Sequence, residues 1–557
     1  MSRSPRPGRA CLALALGAAA WAALTVLTGG FAIAPAGVRL SSRDPLRPLL
    51  VCVALLAVSR IALGAPEFWR TVLRLVGTSR AAVTSRIAGL AALSVLVVAI
   101  AWNTDAAGGS DSSCYVLQAE AFAHGRVTLE RPLADVLTGA TPAIFAPTGF
   151  VPSPRDGHAP VPICGPGLAL AMTLPFLVSR SAVFLVVPVC AAVMVWLTFA
   201  LGRQLDDEVT GACAAVLIAC SPVVLYQAVQ PMSDIPAATL WLAALTAASR
   251  APATAGVCVS LAILTRVNLA PLALLLFLIL PDRRAWARFS LAALPGVLLM
   301  IALNVARYGG PLASGYGSTD VLFSIAHLRP NLVRYPVWLI TTETPFLLLM
   351  LLTPAWIARH RDRVRFTTVV IVSAVFVVAT YLLYTVFDDW WYIRFLLPAL
   401  PIALVCSVAV ALDAVGRARA VTALIICLVL VPWRVHVARE RQVFDLQALE
   451  SRFLATGHFA ATLPPNAIVL AMQQSGSIRY HGGRPTLAWD AIPPDALDGL
   501  LARLRADGYA PYIALEELEE VRFRARFAGQ RLGGLDWPPL VDLHGLVRVR
   551  IYDPAAR

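Results

Sequence analysis

Apolar runs of about 20 residues recur along this chain, and each is long enough to carry a helix across a hydrocarbon layer about 30 Å thick. In such a layer every backbone N–H and C=O must be satisfied within a helix or a closed barrel. The runs are unbroken where a barrel strand would alternate with period two, so they read as helices. Composition agrees: 58% of the residues are hydrophobic, against roughly 45–50% in an ordinary soluble protein. A water-soluble fold for the whole chain is excluded.

Spans read near 10–36, 46–64, 86–102, 163–180, 181–200, 209–230, 234–250, 254–280, 287–306, 331–356, 366–387, 391–413 and 418–433, about thirteen in all. Arg3, Arg6 and Arg9 precede the first run, which exceeds the roughly 7–15 residues of a signal-peptide core and so reads as a retained helix. The net charge of +13 would suit nucleic acid, but the basic residues are all arginines and many flank apolar runs. That is how membrane topology uses charge, and no nucleic-acid partner is expected. With the N-terminus in the cytoplasm, Arg70, Arg74, Arg80 and Arg86, then Arg283, Arg284 and Arg288, then the 359–365 cluster all fall inside. The loop 103–162, the segment 307–330, the Asp388-Asp389 turn and everything after about 434 then lie outside. Between 163 and 250 one segment is expected to be broken or re-entrant.

Residues 1–433 therefore form a transmembrane part that includes the external loop 103–162, and residues 434–557 form a small soluble α/β domain outside the membrane. In the latter, 467–472, 509–515 and 543–552 have strand-like composition. No dinucleotide fingerprint, phosphate loop or zinc-ligand spacing appears there, so a supporting or acceptor-side role without chemistry of its own is expected. The ten cysteines lie mostly in apolar runs as small buried hydrophobes. Cys114 and Cys164 flank one polar loop and can pair if it faces an oxidising compartment.

The external loop holds the candidates for chemistry. Residues 115–124 have a helical pattern, with Tyr115, Leu117 and Phe122 available to lie on a membrane surface and Glu120 facing water. Asp111 stands just ahead of it. It is either a carboxylate that takes a proton from an incoming hydroxyl or an N-cap satisfying free backbone N–H groups; the two roles are compatible. His158 is either a phosphate ligand or base, or a loop histidine without a role. Arg266 interrupts an apolar span, where a guanidinium must meet an anion, snorkel or line a wet cavity. Arg394 follows an aromatic stretch and is either an interfacial anchor or a phosphate clamp, because arginine offers a rigid five-donor fork. Asp234 sits in a proline-broken junction, as a helix cap or a binding residue. Tyr308 and Tyr316 border a turn-rich segment suited to a sugar or lipid headgroup.

As an ordered set, Gly109-Ser110-Asp111 with Tyr115 and His124-Gly125, the stretch from Pro162 to Gly167, Met232-Ser233-Asp234-Ile235-Pro236, Thr265-Arg266, the turn from Tyr308-Gly309 to Tyr316, and Arg394-Phe395-Leu396-Leu397-Pro398 carry a resemblance. Over roughly residues 85–413 the chain resembles polytopic polyprenyl-phosphate-sugar-dependent glycosyltransferases of the GT-C fold, which include protein O-mannosyltransferases and the aminoarabinose transferases of lipid A. The resemblance implies that Asp111 is the first-loop general base and that the site faces outward in a bacterial inner membrane. It also implies an inverting transfer from a polyprenyl-phosphate sugar to a glycan, lipid or protein hydroxyl of the cell envelope. Many relatives have two adjacent acidic residues where this chain has Asp111-Ser112, which leaves a divalent metal without support from the sequence; Glu120 is a possible second carboxylate. The rival readings are a transporter, a flippase or polymerase of lipid-linked glycans, and a non-catalytic envelope component. A carboxylate close to an arginine at one cavity favours the transferase, while a cavity continuous between both faces favours transport.

Overall fold

The computed structural model describes residues 6–28, 31–33, 40–42, 44, 46–64, 67–71 and 79–557; Arg3 and Arg74 lie outside them. Among the described residues six helices are long and apolar enough to cross a membrane: Leu46–Leu63, Arg80–Ala101, Arg180–Leu205, Arg283–Tyr308, Arg361–Leu382 and Gly416–Glu440. Three further pairs pass together but are bent, by 61° at 220–221, by 115° at Thr344 and by 83° at 397–399. The number of spans is therefore six, or up to nine if each bent pair is one span. The expected thirteen is too many.

The physical reason is that a hydropathy window counts apolar side chains and is blind to helix breaks. Ser221-Pro222 and Thr344-Pro345 each end one helix and start another, because proline fits a first turn but not an interior. Asp234–Ala247 and Pro252–Thr265 have 14 residues each, about 21 Å at 1.5 Å per residue and well short of a membrane's about 30 Å. Their apolar side chains are mostly buried against other helices. Small residues allow close approach in this bundle: a Cβ on Gly202 would lie 2.6 Å from the Cα of Gly211.

The sharpest bend is fastened by charges outside the set of sequence candidates. Glu343, at the end of the π-helical turn Leu339–Glu343, and Arg434 are both fully buried and form an ion pair. Ser221 Oγ donates to Glu343 Oε1 at 2.7 Å, and the Val223 N–H donates to the same oxygen at 3.2 Å. One carboxylate thus joins the break at 344, the break at 221 and the Arg419–Glu440 helix.

The C-terminal region folds around a mixed five-stranded sheet of β1 (Ala467–Leu470), β2 (Thr486–Leu487), β3 (Ala510–Glu516), β4 (Val541–Leu543) and β5 (Val549–Tyr552), in the order β2-β1-β3-β5-β4. β2 and β3 run parallel to β1, and β5 is antiparallel to both β3 and β4. The strand composition at 543–552 thus belongs to two strands joined by a turn. Alternate residues of β3 enter separate cores, Ile513 and Leu515 on one face and Tyr512 and Ala514 on the other. Leu133, Leu137, Ile144 and Phe145 complete the first of these cores, so the 103–162 loop is built into the C-terminal region.

Arg434→Ala leaves the Glu343 carboxylate buried without its cation and is expected to cost about 3–5 kcal/mol. Thermal unfolding in detergent measures this, with Glu343→Leu/Arg434→Met expected to recover most of the loss.

Candidate functional site

The helix Gly109–Ala123 begins six residues earlier than its sequence pattern suggests, with Gly108 as N-cap. Asp111 lies within its first turn and caps nothing, so the capping reading is corrected. Its carboxylate is free to meet Arg394, whose Nη2 donates to Asp111 Oδ2 at 2.9 Å. Tyr115 and Leu117, expected on a membrane surface, are buried in the protein interior instead. The Cys114–Cys164 disulfide forms, one turn after Asp111, and ties this helix to the start of the Pro166–Val178 helix with Cα atoms 6.3 Å apart.

The opposite wall is made of helix ends. The broken junction before Asp234 presents Ser233, which accepts from the Tyr115 hydroxyl at 2.7 Å and from Arg266 Nε at 3.3 Å. Asp234 Oδ1 accepts from Arg266 Nη2 at 2.6 Å. Arg266 Nη1 donates to the Tyr381 hydroxyl at 3.0 Å, and Asn268 donates to that hydroxyl at 2.9 Å. Both guanidinium groups face the Phe395 ring, at 5.5 Å for Arg266 and 5.1 Å for Arg394. The arginines are thus held side by side, each with its own carboxylate.

These groups line one cavity of about 960 Å³. Asp111, Tyr115, Asp234, Arg266, Tyr308, Tyr316 and Arg394 all belong to its wall. Tyr308 also donates its hydroxyl to the Pro162 carbonyl. His158 and Glu120 are elsewhere. His158 is exposed at the tip of the hairpin Phe150–Pro152/Pro160–Pro162, with φ of 64°, and Glu120 pairs with Arg180 at 2.9 Å. Burial raises the Glu120 carboxyl above the usual range. Among the described residues no group of three or more His, Cys, Asp or Glu is placed to hold a metal ion.

Two wall residues, Glu450 and Gln473, come from the C-terminal region, for which a supporting or acceptor-side role is expected. Nothing in their local sequence marks them. Tyr381, which joins Arg266 to Asn268, sits in an apolar run where a tyrosine reads as an interfacial residue.

Residues 161–307 match the family described as dolichyl-phosphate-mannose-protein mannosyltransferase. The apo structure of ArnT from Cupriavidus metallidurans is 13% identical, with a TM-score of 0.50, over 83% of this chain and 97% of that one. The same protein bound to undecaprenyl phosphate is 12% identical, with the same TM-score and coverage. The apo oligosaccharyltransferase of Archaeoglobus fulgidus is 13% identical over 80% of this chain and 71% of that one, with a TM-score of 0.48. No curated protein matches the sequence. At these identities the likeness to ArnT is one of fold.

The segment leading to Asp111 is pinned by the C-terminal region. His481 Nε2 accepts from the Ala107 N–H at 3.2 Å, and its ring stacks on Phe184. Burial, with the charges of His458 and Arg180 adding to it, pushes the imidazole down to about 4. The unfolded chain, with an ordinary histidine near 6.5, binds more protons than the folded one between these values. Stability from this contact is therefore full above about pH 6.5 and falls as the pH drops towards 4. Protection from hydrogen exchange at residues 105–109, relative to the intrinsic rate at each pH, should fall over that window, and His481→Gln should flatten the dependence.

Proposed function

We propose that this chain, which shares the fold of ArnT and matches the mannosyltransferase family over residues 161–307, is an inverting polyprenyl-phosphate-sugar-dependent glycosyltransferase of the GT-C fold in a bacterial inner membrane. It moves a sugar from a polyprenyl-phosphate donor to the hydroxyl of a glycan, lipid or protein on the outer face. The observation that carries this reading is the 2.9 Å contact between Asp111 and Arg394 in the wall of a cavity that also holds Arg266.

In the reaction, the Asp111 carboxylate takes the proton of the acceptor hydroxyl as its oxygen forms a bond to the anomeric carbon from the face opposite the phosphate. The bond from that carbon to the phosphate oxygen breaks, and its electron pair leaves with the lipid phosphate. Arg394 and Arg266 supply fixed donors for the charge that grows on this leaving group. In the resting site each arginine is held by a carboxylate, so the donors are oriented before the substrate arrives and cost no reorganisation at the moment of transfer. A relative in fold binds undecaprenyl phosphate, the class of lipid assigned to the donor here. Tyr115, Asp234, Tyr308 and Tyr316 shape the cavity around the donor headgroup.

An outward-facing site has its own support. The Cys114–Cys164 disulfide beside Asp111 belongs to an oxidising compartment, in agreement with the arginine distribution, which puts loop 103–162 and residues 434–557 on the same outer side.

Asp111→Asn should lower transfer of labelled sugar from polyprenyl phosphate by about 10²–10⁴-fold while the chain still folds; wild-type transfer in this variant removes Asp111 from the role of base. Arg266→Ala and Arg394→Ala should raise the donor KM by about tenfold or more, and unchanged donor kinetics in both would contradict the phosphate assignment. A cysteine placed at exposed His158 should react with a membrane-impermeant maleimide on intact cells; reaction confined to inside-out vesicles would reverse the orientation.

A further inference from the structure

The cavity wall also holds polar groups that the transfer chemistry leaves unused. Glu450, on the Leu446–Thr462 helix, and Gln473, just beyond β1, reach it from the C-terminal region. They close on the start of the Asp111 helix: a Cβ on Gly108 would lie 2.8 Å from Glu450 Oε2, and one on Gly109 would lie 3.9 Å from Gln473 Oε1. Arg452 donates to Glu450 Oε1 at 3.3 Å, and Glu519 accepts from the Gln473 N–H at 3.0 Å, so both residues are anchored. Glu450 Oε2 and the Gln473 side-chain amide make no hydrogen bond among the described residues, and both residues line the cavity. Tyr226, within electrostatic reach of Glu450, adds an aromatic wall by stacking with Trp391 at 5.9 Å.

We infer that these groups form a subsite for a saccharide acceptor, whose ring packs on the Tyr226–Trp391 wall and whose hydroxyls bond to Glu450 and Gln473. The inference rests on the transferase reading. The donor and acceptor sets differ in kind: the guanidinium forks suit a phosphate, whereas a neutral polyol finds a carboxylate acceptor in Glu450 and an amide that both donates and accepts in Gln473. Burial raises the Glu450 carboxyl above its usual range, and hydroxyl donors would favour its ionised form. The volume of about 960 Å³ is at the upper end of the roughly 300–1,000 Å³ of small-molecule sites, with room for two substrates.

The test uses the full chain in lipid nanodiscs, with methyl glycosides of several hexoses and pentoses as probes read by saturation-transfer NMR and undecaprenyl phosphate read by thermal shift. At least one glycoside is expected to bind the wild type, and Glu450→Gln and Gln473→Ala should each weaken it by about tenfold while the undecaprenyl phosphate shift is retained. Retention of that shift reports a folded site; a variant that loses it is replaced by Glu450→Asp, which keeps the charge but draws it back by one methylene. The subsite is overturned if no glycoside binds a wild type that does bind undecaprenyl phosphate, if both variants bind glycoside as the wild type does, or if a serine peptide binds through Glu450 in place of a glycoside. Failure of the wild type to bind undecaprenyl phosphate would instead sink the transferase reading itself.

Discussion

A charge in an apolar interior must have a partner, and in this protein that requirement decides where helices stop. Glu343 and Arg434 meet with no exposure at all, Asp234 and Arg266 meet beside the cavity, and Asp111 and Arg394 meet across it. Each pair has at least one member at a helix end, a bend or a short turn. The coincidence is physical: a break frees backbone donors and acceptors that can share a charged side chain, and it lets the side chain leave the lipid-facing surface. Removing one partner would leave the other uncompensated, so these junctions hold together as units.

The cavity follows from the same breaks. Asp234–Ala247 and Pro252–Thr265 are too short to cross a bilayer, and their ends, together with the turn that carries Arg394, form one wall. The disulfide-tethered helix of the 103–162 loop supplies another, and the C-terminal region closes over its first turn through Glu450, Gln473 and His481. Loop and C-terminal region also share a hydrophobic core, so the carboxylate and the groups around it are positioned by packing as well as by the chain that bears them. Such an arrangement suits a substrate that arrives partly from lipid and partly from water, because it joins buried cations to accessible polar groups.

Much of the candidate site, as the cavity wall that these residues share, was legible because its residues are expensive where they stand. Arg266 in an apolar run, Arg394 in an aromatic stretch, and Asp234 at a proline-broken junction each violate what a lipid-facing segment tolerates, and all line the one cavity. Asp111 was legible as a carboxylate in a polar loop, although its place in the helix differs from that expected. His158 and Glu120 carried equally good local signals, but one is at an exposed tip and the other is committed to Arg180. Local pattern reports that a residue is polar and does not report which neighbour it meets.

What the sequence determined by itself is the medium and the chemistry on offer: long apolar runs demand helices in a membrane, and charges within or beside them demand partners. What only the tertiary structure decided is which runs cross, which bend, which charges pair, and that Glu450 and Gln473 reach the cavity from a region far along the chain. Hydropathy is a sum over side chains and survives any rearrangement of helix breaks, whereas pairing depends on distances between segments hundreds of residues apart, such as Asp111 and Arg394 at a separation of 283 residues. No window of neighbouring residues contains that information.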